Sequence, residues 1–438
     1  MAKAASKTLD VRVDYVTRVE GHGNIVARVE DGELVECRME VTESPRFFEA
    51  MLRGRSWKDA MFLTTRICGI CACGHGSASL KATEDAMGIT RSEQTECLRR
   101  IVLHAEQLES HWLHCYFLVA PDFFGAPSVI PLAKTHTDVV LRAMRLKKLS
   151  HHICRVLVGR HTHPIGMVPG GYMKLPSVRA LKELRDHIAS FEDDVHATVD
   201  LFATLEPPAF ERETEYESIT NPDEYAFFDG RLITSDGDKA DTHDYRNIIH
   251  EEIVRHSSAK HVKNRRESLM VGALARFNNN HAQLVPEAKA AAEKLGLAAP
   301  CTNPFHNNTA QIVESVHCYY EVLRLLDDLI EAGIQDEKPP LAWPRGRAGT
   351  GVGIVEVPRG TLVHEYEYDE DGIVTGANLV IPTNQNLANI EADFRAYIPQ
   401  LMDEGRTQAE VTHALEMLVR AYDPCISCST HLVQVEFK

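Results

Sequence analysis

The chain of 438 residues contains 11 cysteines, and four of them form two Cys-x-x-Cys pairs. Cys68 and Cys71 lie near the beginning of the chain, and Cys425 and Cys428 lie near its end. Three-residue spacing in a tight turn lets two thiolates converge on one metal ion. A single pair is weak evidence, because such pairs are often structural or redox-active. Two pairs favour one shared metal site, which would require the two ends of the chain to meet.

The residues around the pairs go beyond what a structural zinc site needs. Arg66 precedes the first pair and His75 follows it. Asp423 and Pro424 precede the second pair, and His431 follows it. Zinc ribbons hold their two pairs about 15–20 residues apart, whereas here almost the whole chain separates them. A structural tetrathiolate zinc scaffold therefore stays open as an unusual alternative.

Both pairs, with their flanking residues, resemble the paired signature of nickel–iron hydrogenase large subunits. Other segments resemble further elements of that family in the same order, which are residues 18–23 (RVEGHG), 45–49 (PRFFE), 356–360 (EVPRG) and 382–386 (PTNQN). The resemblance covers nearly the whole chain and is similar in style to the cytoplasmic sulfhydrogenase-type and other NAD(P)- or deazaflavin-linked enzymes. It implies an oxidoreductase that reversibly cleaves dihydrogen heterolytically, with a nearby base that takes the proton.

The resemblance assigns metal ligands to the four paired cysteines. All four would bind nickel, with Cys68 and Cys425 as terminal ligands, and Cys71 and Cys428 would also bridge to iron. Carbonyl and cyanide ligands would complete the iron. Soft thiolates suit both metals, and a dry pocket tunes their redox potential.

Glu20 is the candidate proton relay, and by resemblance its carboxylate lies near the terminal ligand Cys425. A carboxyl group in an apolar pocket has a raised pKa and can shuttle a proton. The alternative for Glu20 is a surface glutamate at a strand end.

Four more residues would surround the metals by resemblance. Arg359, next to Pro358, would lie over the open metal position as a base or an electrostatic partner, and its guanidinium can donate to an iron cyanide. Thr383 would donate to the other cyanide. Asp423 would hold Arg359 or a backbone amide.

The resemblance also gives expectations for other side chains near the pairs. His75 would donate to the sulfur of Cys428, or else be a core histidine. Glu49 and His431 resemble ligands of a buried magnesium-like ion, for which a carboxylate is a suitable donor. Cys73 is expected to be a bystander that faces a partner subunit.

One position departs from the family pattern. Membrane-bound relatives often have Asp-His where this chain has Ser110-His111. We therefore expect His111 and His114 to be helix-packing or partner-facing residues.

Electrons must leave through partner subunits, because the Gly-rich segment 346–353 lacks the strand–turn–helix context of a dinucleotide site. The family implies an iron–sulfur small subunit, and further flavin or iron–sulfur electron-transfer subunits. Residues 432–438 resemble a tail that a maturation protease removes after His431, and metallochaperones would supply the metals. The net charge of −16 argues against a nucleic-acid partner. The absence of an apolar signal segment or of a run of about 20 apolar residues predicts a cytoplasmic chain without a membrane span.

The pattern along the chain predicts a mainly α fold with small β elements (α+β), in which a long helical bundle brings both termini to the metal site. Strand signals extend over residues 10–45, with an alternating segment at 11–14, a β-rich segment at 25–29 and a turn signal at Asp31-Gly32. A second alternating segment spans residues 362–381. Apolar residues at helical spacing predict helices at 93–119, 133–160, 177–205, 284–295, 309–332 and 405–421.

We expect residues 1–438 to form a single domain. Its parts are a β-rich segment 1–56, a mainly helical body 57–335, a loop and small β segment 336–383, a helical metal-ligand segment 384–431, and the tail 432–438. Residues 206–245 are expected to be rich in loops.

Two other functions share parts of this pattern. A regulatory hydrogen sensor would carry the same four ligands and turn over slowly. A respiratory quinone-reductase subunit of related fold would lack the four cysteines, so their presence argues against it.

Overall fold

A computed structural model describes residues 8–340 and 346–430 of the chain. Its α-helices are α1 (Phe48–Leu52), α2 (Ala60–Thr64), α3 (Ala72–Met87), α4 (Glu93–Leu113), α5 (Ala120–Phe123), α6 (Val129–Thr135), α7 (Thr137–Val158), α8 (Val178–Ala189), α9 (Glu192–Phe202), α10 (Ala273–Asn280), α11 (Pro286–Lys294), α12 (Asn307–Ala332), α13 (Pro382–Asp403), α14 (Gln408–Ala421) and α15 (Ile426–Ser429). Its strands are β1 (Leu9–Val13), β2 (Gly23–Glu30), β3 (Glu33–Val41), β4 (Met167–Val168), β5 (Gly171–Tyr172), β6 (Glu215–Thr220), β7 (Arg231–Thr234), β8 (Lys239–Ala240), β9 (His250–Glu252), β10 (His261–Lys263), β11 (Leu269–Met270), β12 (Gly349–Val357), β13 (Gly360–Tyr368) and β14 (Val374–Val380).

Strands β1, β2 and β3 form the antiparallel N-terminal sheet. Asp31 and Gly32 make the turn between β2 and β3, and both have a positive φ, of 51° and 88°. Aspartate and glycine are among the residues that tolerate this left-handed backbone, so the predicted turn and strands are confirmed.

Helices α4, α7, α8 and α12 pack together as the helical body. The Ser92 side chain begins α4 by accepting a hydrogen bond from the backbone N–H of Thr95 at 3.0 Å. Helix α12 ends at Ala332, in agreement with the helix predicted at 309–332, and Gly333 follows it. The predicted helix at 93–119 is an α-helix only to Leu113 and then a π-helix over His114–Val119.

Three segments contain more structure than the sequence pattern indicated. The segment 177–205 is two helices, α8 and α9, because the chain turns at Ser190 and Phe191. The interval 206–245 holds strands β6, β7 and β8, which form a central sheet in the order β11-β6-β7-β8. The Gly-rich segment enters strand β12, which pairs with β13 and then β14.

The C-terminal sheet packs through β12 on helix α3, which directly follows the first cysteine pair. Helix α13 follows β14 and contacts β3, β10 and α15, so it links the N-terminal sheet to the second cysteine pair. The two ends of the chain therefore meet at one place. In the part of the chain that the structure describes, no helix has the length and apolar character needed to cross a membrane.

Candidate metal centre

The first cysteine pair lies in the turn that leads into α3. Cys71 is the residue at which the helix begins, and the backbone N–H of Ile70 donates to the sulfur of Cys68 at 3.3 Å. The first N–H groups of a helix have no partner within it. Here the buried carboxylate of Glu106, from α4, accepts from the N–H groups of Cys73 at 2.7 Å and Gly74 at 3.0 Å. Glu106 fixes the turn, and sequence reasoning missed it because its partners are about 30 residues away.

The second pair is held by a short helical turn. Cys425 stands at the start of α15 and Cys428 lies within it. The backbone N–H of Cys425 donates to the hydroxyl of Thr383 at 2.9 Å, and that of Ile426 donates to the carbonyl of Glu20 at 2.9 Å. Helix α13 and the N-terminal segment thus both position this pair.

The four sulfur atoms converge, since all lie within 4.8 Å of one another. The sulfur of Cys71 lies 3.5 Å from that of Cys428, and the sulfur of Cys68 lies 3.6 Å from that of Cys425. Each cysteine is at most 4% exposed.

Charge and burial set the acidity of the first pair. A hydrogen bond with Cys71 lowers the pKa of Cys68 to about 7, although burial opposes this, and the positive charge of Arg359 adds to the effect. The same hydrogen bond, together with burial, raises the pKa of Cys71 well above its usual range.

Arg46 joins the loops that carry both pairs. Its guanidinium donates to the carbonyl of Ile67 at 2.5 Å and to that of Ser427 at 3.1 Å. It also donates to the carbonyl of Arg66 at 3.2 Å and lies 4.9 Å from the ring centre of Phe48. The sequence offered the motif around Arg46 but no role for it.

Glu20 lies beside the second pair, as expected. Its carboxylate is 3.2 Å from the sulfur of Cys425. The carboxylate also accepts from the backbone N–H of Ser427 at 3.0 Å and from the Ser427 hydroxyl. Glu20 is half-buried, and its surroundings are more polar than the expected apolar pocket because Ser427 donates to both carboxylate oxygens.

Arg359 reaches the site from the turn between β12 and β13. It donates to the carboxylate of Asp423 at 2.9 Å and to the Asp423 carbonyl at 2.7 Å. Burial acts to lower the pKa of Arg359, but the charge of Asp423 and those of Cys71 and Cys68 outweigh it and raise that pKa. Arg359 is therefore a fixed cation. Its Nη1 atom is buried without a hydrogen-bond partner among the residues described.

Three other residues predicted to lie near the metals, Thr383, Pro358 and His75, each have a hydrogen-bond partner in the protein. Thr383 accepts from Cys425, which leaves its own hydroxyl proton to donate. The carbonyl of Pro358 accepts from Arg276 at 3.1 Å. The Nδ1 atom of His75 lies 3.1 Å from the Nε2 atom of His364, so only its Nε2 atom is left for the predicted bond to the Cys428 sulfur.

The predicted magnesium-like site is described in part. Glu49 is 2% exposed, and burial raises the pKa of its carboxyl group. One carboxylate oxygen accepts from the backbone N–H of Leu379 at 2.9 Å. His431 and the tail 432–438 lie outside the described residues.

The expectation that Cys73 faces a partner was wrong. Cys73 is 2% exposed and lies in contact with Cys154 of α7, which raises its pKa well above the usual range together with burial. His111 and His114 are buried in helix packing. His111 pairs with Glu314 at 2.8 Å, and His114 pairs with Gln311 at 2.6 Å.

The residues present fit a nickel-containing group. Four buried sulfur donors suit a soft or borderline transition metal. The unpartnered Nη1 atom of Arg359 and the hydroxyl of Thr383 would be donors for acceptor atoms on such a group. A structural zinc ion would need only the sulfurs.

Comparison with known proteins agrees with this donor set. The family model described as nickel-dependent hydrogenase matches residues 46–140 and 204–431, and a model described as HoxL-like matches residues 10–44. The chain is 33% identical to the alpha subunit of sulfhydrogenase 1 of Pyrococcus furiosus, over 98% of this chain and 99% of that one. It is 31% identical to the beta subunit of the NAD-reducing hydrogenase HoxS of Cupriavidus necator, over 96% and 94%.

Solved structures share the fold. An NAD⁺-reducing [NiFe]-hydrogenase in the H₂-reduced state matches with a TM-score of 0.86 and 27% identity, over 96% of this chain and 99% of that one. The Ni-Fe-Se hydrogenase of D. vulgaris Hildenborough matches in fold, with a TM-score of 0.74 and 24% identity, over 97% and 100%.

Proposed function

Because this chain belongs to the nickel-dependent hydrogenase family, as the catalytic large subunit of a nickel–iron hydrogenase, we propose a role for each residue of its metal centre. Cys68, Cys71, Cys425 and Cys428 hold the nickel, and Cys71 and Cys428 also bind iron. The observation that carries this proposal is the convergence of four buried sulfurs beside a carboxylate. The cross-pairing supports the division of roles, since Cys71 and Cys428, the two proposed bridging ligands, are neighbours.

The bound nickel–iron centre supplies the reversible heterolytic cleavage of dihydrogen. The chain itself must exclude water, hold the centre and move the proton. All four sulfurs are buried, which strengthens electrostatic interactions in the site because the local dielectric is low.

Glu20 takes the proton from the Cys425 sulfur. The two groups are 3.2 Å apart, which is within reach for direct transfer. Glu20 is also half-buried, so its carboxylate stands between the closed site and solvent. Ser427 fixes its orientation by donating to both oxygens.

Arg359 acts as a fixed cation and a hydrogen-bond donor. Asp423 holds one side of the guanidinium, and the free Nη1 atom would be a donor for a cyanide ligand of the iron. Thr383 accepts from the Cys425 N–H, and its hydroxyl proton would be a donor for a second cyanide. Pro358, before Arg359, fixes the turn that aims the guanidinium.

A magnesium-like ion binds at Glu49 and His431. The support is the burial of the Glu49 carboxylate, which is 2% exposed. One of its oxygens is engaged by Leu379, and the other remains for a hard cation.

The chain works with partner subunits in the cytoplasm. Relatives are subunits of larger enzymes, as the names "sulfhydrogenase 1 subunit alpha" and "NAD-reducing hydrogenase HoxS subunit beta" indicate. An iron–sulfur small subunit takes up the electrons, and flavin or further iron–sulfur subunits pass them on. Metallochaperones load the metals, and a maturation protease removes residues 432–438.

Glu20→Gln tests the proton relay. The amide keeps the size and part of the hydrogen bonding of Glu20 but cannot carry the proton. We expect normal nickel content and a loss of dihydrogen–deuterium exchange of roughly 100-fold or more, the range of general acid–base catalysis. Glu43→Gln is the matched control, because Glu43 accepts from the nearby His22 N–H at 3.0 Å and does not contact a cysteine. Exchange at the same rate in both variants would refute the relay.

A further inference from the structure

A second cluster of metal-binding side chains lies away from the cysteines. His256, His261 and Glu391 each offer one ligand atom, and these atoms all lie within 4.8 Å of one another. His256 lies in the loop before β10, and His261 is the first residue of β10. Glu391 lies in α13, which packs on β10.

His261 shows the feature that points to a ligand. It is 6% exposed, and its buried Nε2 atom has no hydrogen-bond partner among the described residues. Most buried polar atoms in proteins are hydrogen-bonded, so such an atom requires an explanation.

Glu391 is already oriented as a ligand would be. It is 5% exposed, and one carboxylate oxygen accepts from the backbone N–H of Met39 at 3.1 Å and contacts the Nε2 atom of His256 at 2.7 Å. The other oxygen accepts from Arg395 at 3.3 Å, whose side chain is more than half exposed. Supporting bonds of this kind fix ligand carboxylates in metal sites.

We propose that His256, His261 and Glu391 bind a divalent zinc-like cation. Two imidazole nitrogens and one carboxylate oxygen match the donors of zinc, with a fourth position open to water. A hard ion such as magnesium prefers oxygen donors alone. The half-buried His256 gives access from solvent.

The bound ion would join three parts of the fold. It ties the β9–β10 hairpin to α13, and Met39 connects the same carboxylate to β3. Helix α13 begins at Pro382 and Thr383, and Thr383 holds the second cysteine pair through Cys425. The cation would therefore stabilise the strands and the helix that position the metal centre, and it would take no part in the hydrogen reaction.

The test is a zinc titration of the purified, chelator-treated complex whose nickel content is intact. Equilibrium dialysis measures zinc affinity, and X-ray absorption at the zinc edge reads the ligand atoms without interference from nickel or iron. We expect one saturable zinc per chain with nitrogen and oxygen neighbours only. Magnesium at the same concentration should not displace it.

His261→Gln and Glu391→Gln should weaken zinc binding by more than about tenfold, the lower end of the loss seen when only a supporting residue is removed. His256→Gln, at the more exposed ligand, gives the same test if the buried variants fail to fold. His413→Gln, at an exposed histidine outside the cluster, should bind zinc as the unchanged chain does. Equal affinity in His256→Gln and His413→Gln, a zinc shell that contains sulfur, or no saturable binding would each overturn the proposal.

Discussion

Arg46 shows how one side chain can hold a site whose ligands it does not include. Its guanidinium contacts backbone carbonyls on both cysteine loops, those of Ile67 and Ser427. Arginine can do this because its donors form a planar fork, whereas lysine has a compact ammonium group. The two loops are separated by nearly the whole chain, so this contact closes the site.

Arg46→Lys should therefore loosen the centre while it keeps the charge. Hydrogen bonds to charged groups contribute about 1.5–3 kcal/mol each, and we expect a stability loss of roughly 2 kcal/mol with lower nickel occupancy. Denaturant unfolding and nickel content of the purified complex measure the two effects. Arg55→Lys, at an exposed arginine, is the control, and an equally small change in both variants would contradict the role of Arg46.

The buried carboxyl group of Glu217 should make the stability of the folded chain depend on pH. Burial, together with the charge of Glu356, raises the pKa of Glu217 to about 8, against about 4.3 in the unfolded chain. Between these values the folded chain holds a proton that the unfolded chain releases. Stability therefore falls as the pH rises from about 4.3 to 8.

Glu217→Gln should remove this pH dependence. The amide is neutral at every pH, so the variant should gain stability relative to the parent as the pH rises, by an amount on the order of a few kcal/mol at pH 8. Thermal unfolding midpoints of the complex at pH 5 and pH 8 measure the difference. Glu30→Gln, at an exposed glutamate, should leave the pH dependence unchanged. A midpoint difference that Glu217→Gln does not reduce would exclude Glu217 as its source.

Some residues of the site could be identified from the sequence, and others could not. The four cysteines, Glu20 and Arg359 stand in short motifs, so they could be named before the structure. The structure brings all of them together, but the roles assigned to them remain proposals. Glu106 and the contacts of Arg46 depend on partners distant in sequence, and no local pattern indicates them.

Strand β12 approaches helix α3 very closely. A Cβ atom on Gly351 would lie 2.0 Å from the carbonyl oxygen of Ala82, and one on Gly353 would lie 2.1 Å from that of Ala78. The glycines let the strand lie directly on the helix that carries Cys71 at its start. The sequence showed the glycines but not the helix that faces them.

Gly353→Ala should push β12 away from α3. Overpacking of this kind typically costs about 1–3 kcal/mol. Because the clash is with backbone atoms, we expect a loss of stability in the upper part of that range. We also expect a lower yield of the nickel-containing complex. Gly349→Ala is the matched control, since the nearest atom to its Cβ would be 3.3 Å away. Unfolding measurements that rank the two substitutions equally would show that the close approach is not required.

Elements were predicted where one face is apolar and the other polar. Helices α4, α7, α12 and α14 have this periodicity, and so do the strands of the N-terminal sheet. Strand β6 was missed because it is buried on both faces and carries Glu215 and Glu217 inside. In the sequence, a strand with buried carboxylates resembles a polar loop, because the partners of these carboxylates are distant in the chain.

In the whole molecule, the metal centre lies where the two ends of the chain meet. The backbone of Glu20 pairs with that of Cys425, and Gln408 of α14 donates to the carbonyl of Asp10 in β1 at 2.6 Å. The ends must therefore fold together before four sulfurs can converge. The sequence predicted that the two ends meet only because each end carries one of the two Cys-x-x-Cys pairs. No local signal specifies which distant segments pair.

X-ray absorption at the nickel and zinc edges, on complex purified from its native host, tests the central claim that these four cysteines hold nickel. We expect about one nickel per chain with sulfur neighbours, lost in Cys71→Ser and kept in Cys97→Ser. A chain that ends at His431, contains no nickel and holds zinc surrounded by sulfur would contradict it and establish a structural zinc site.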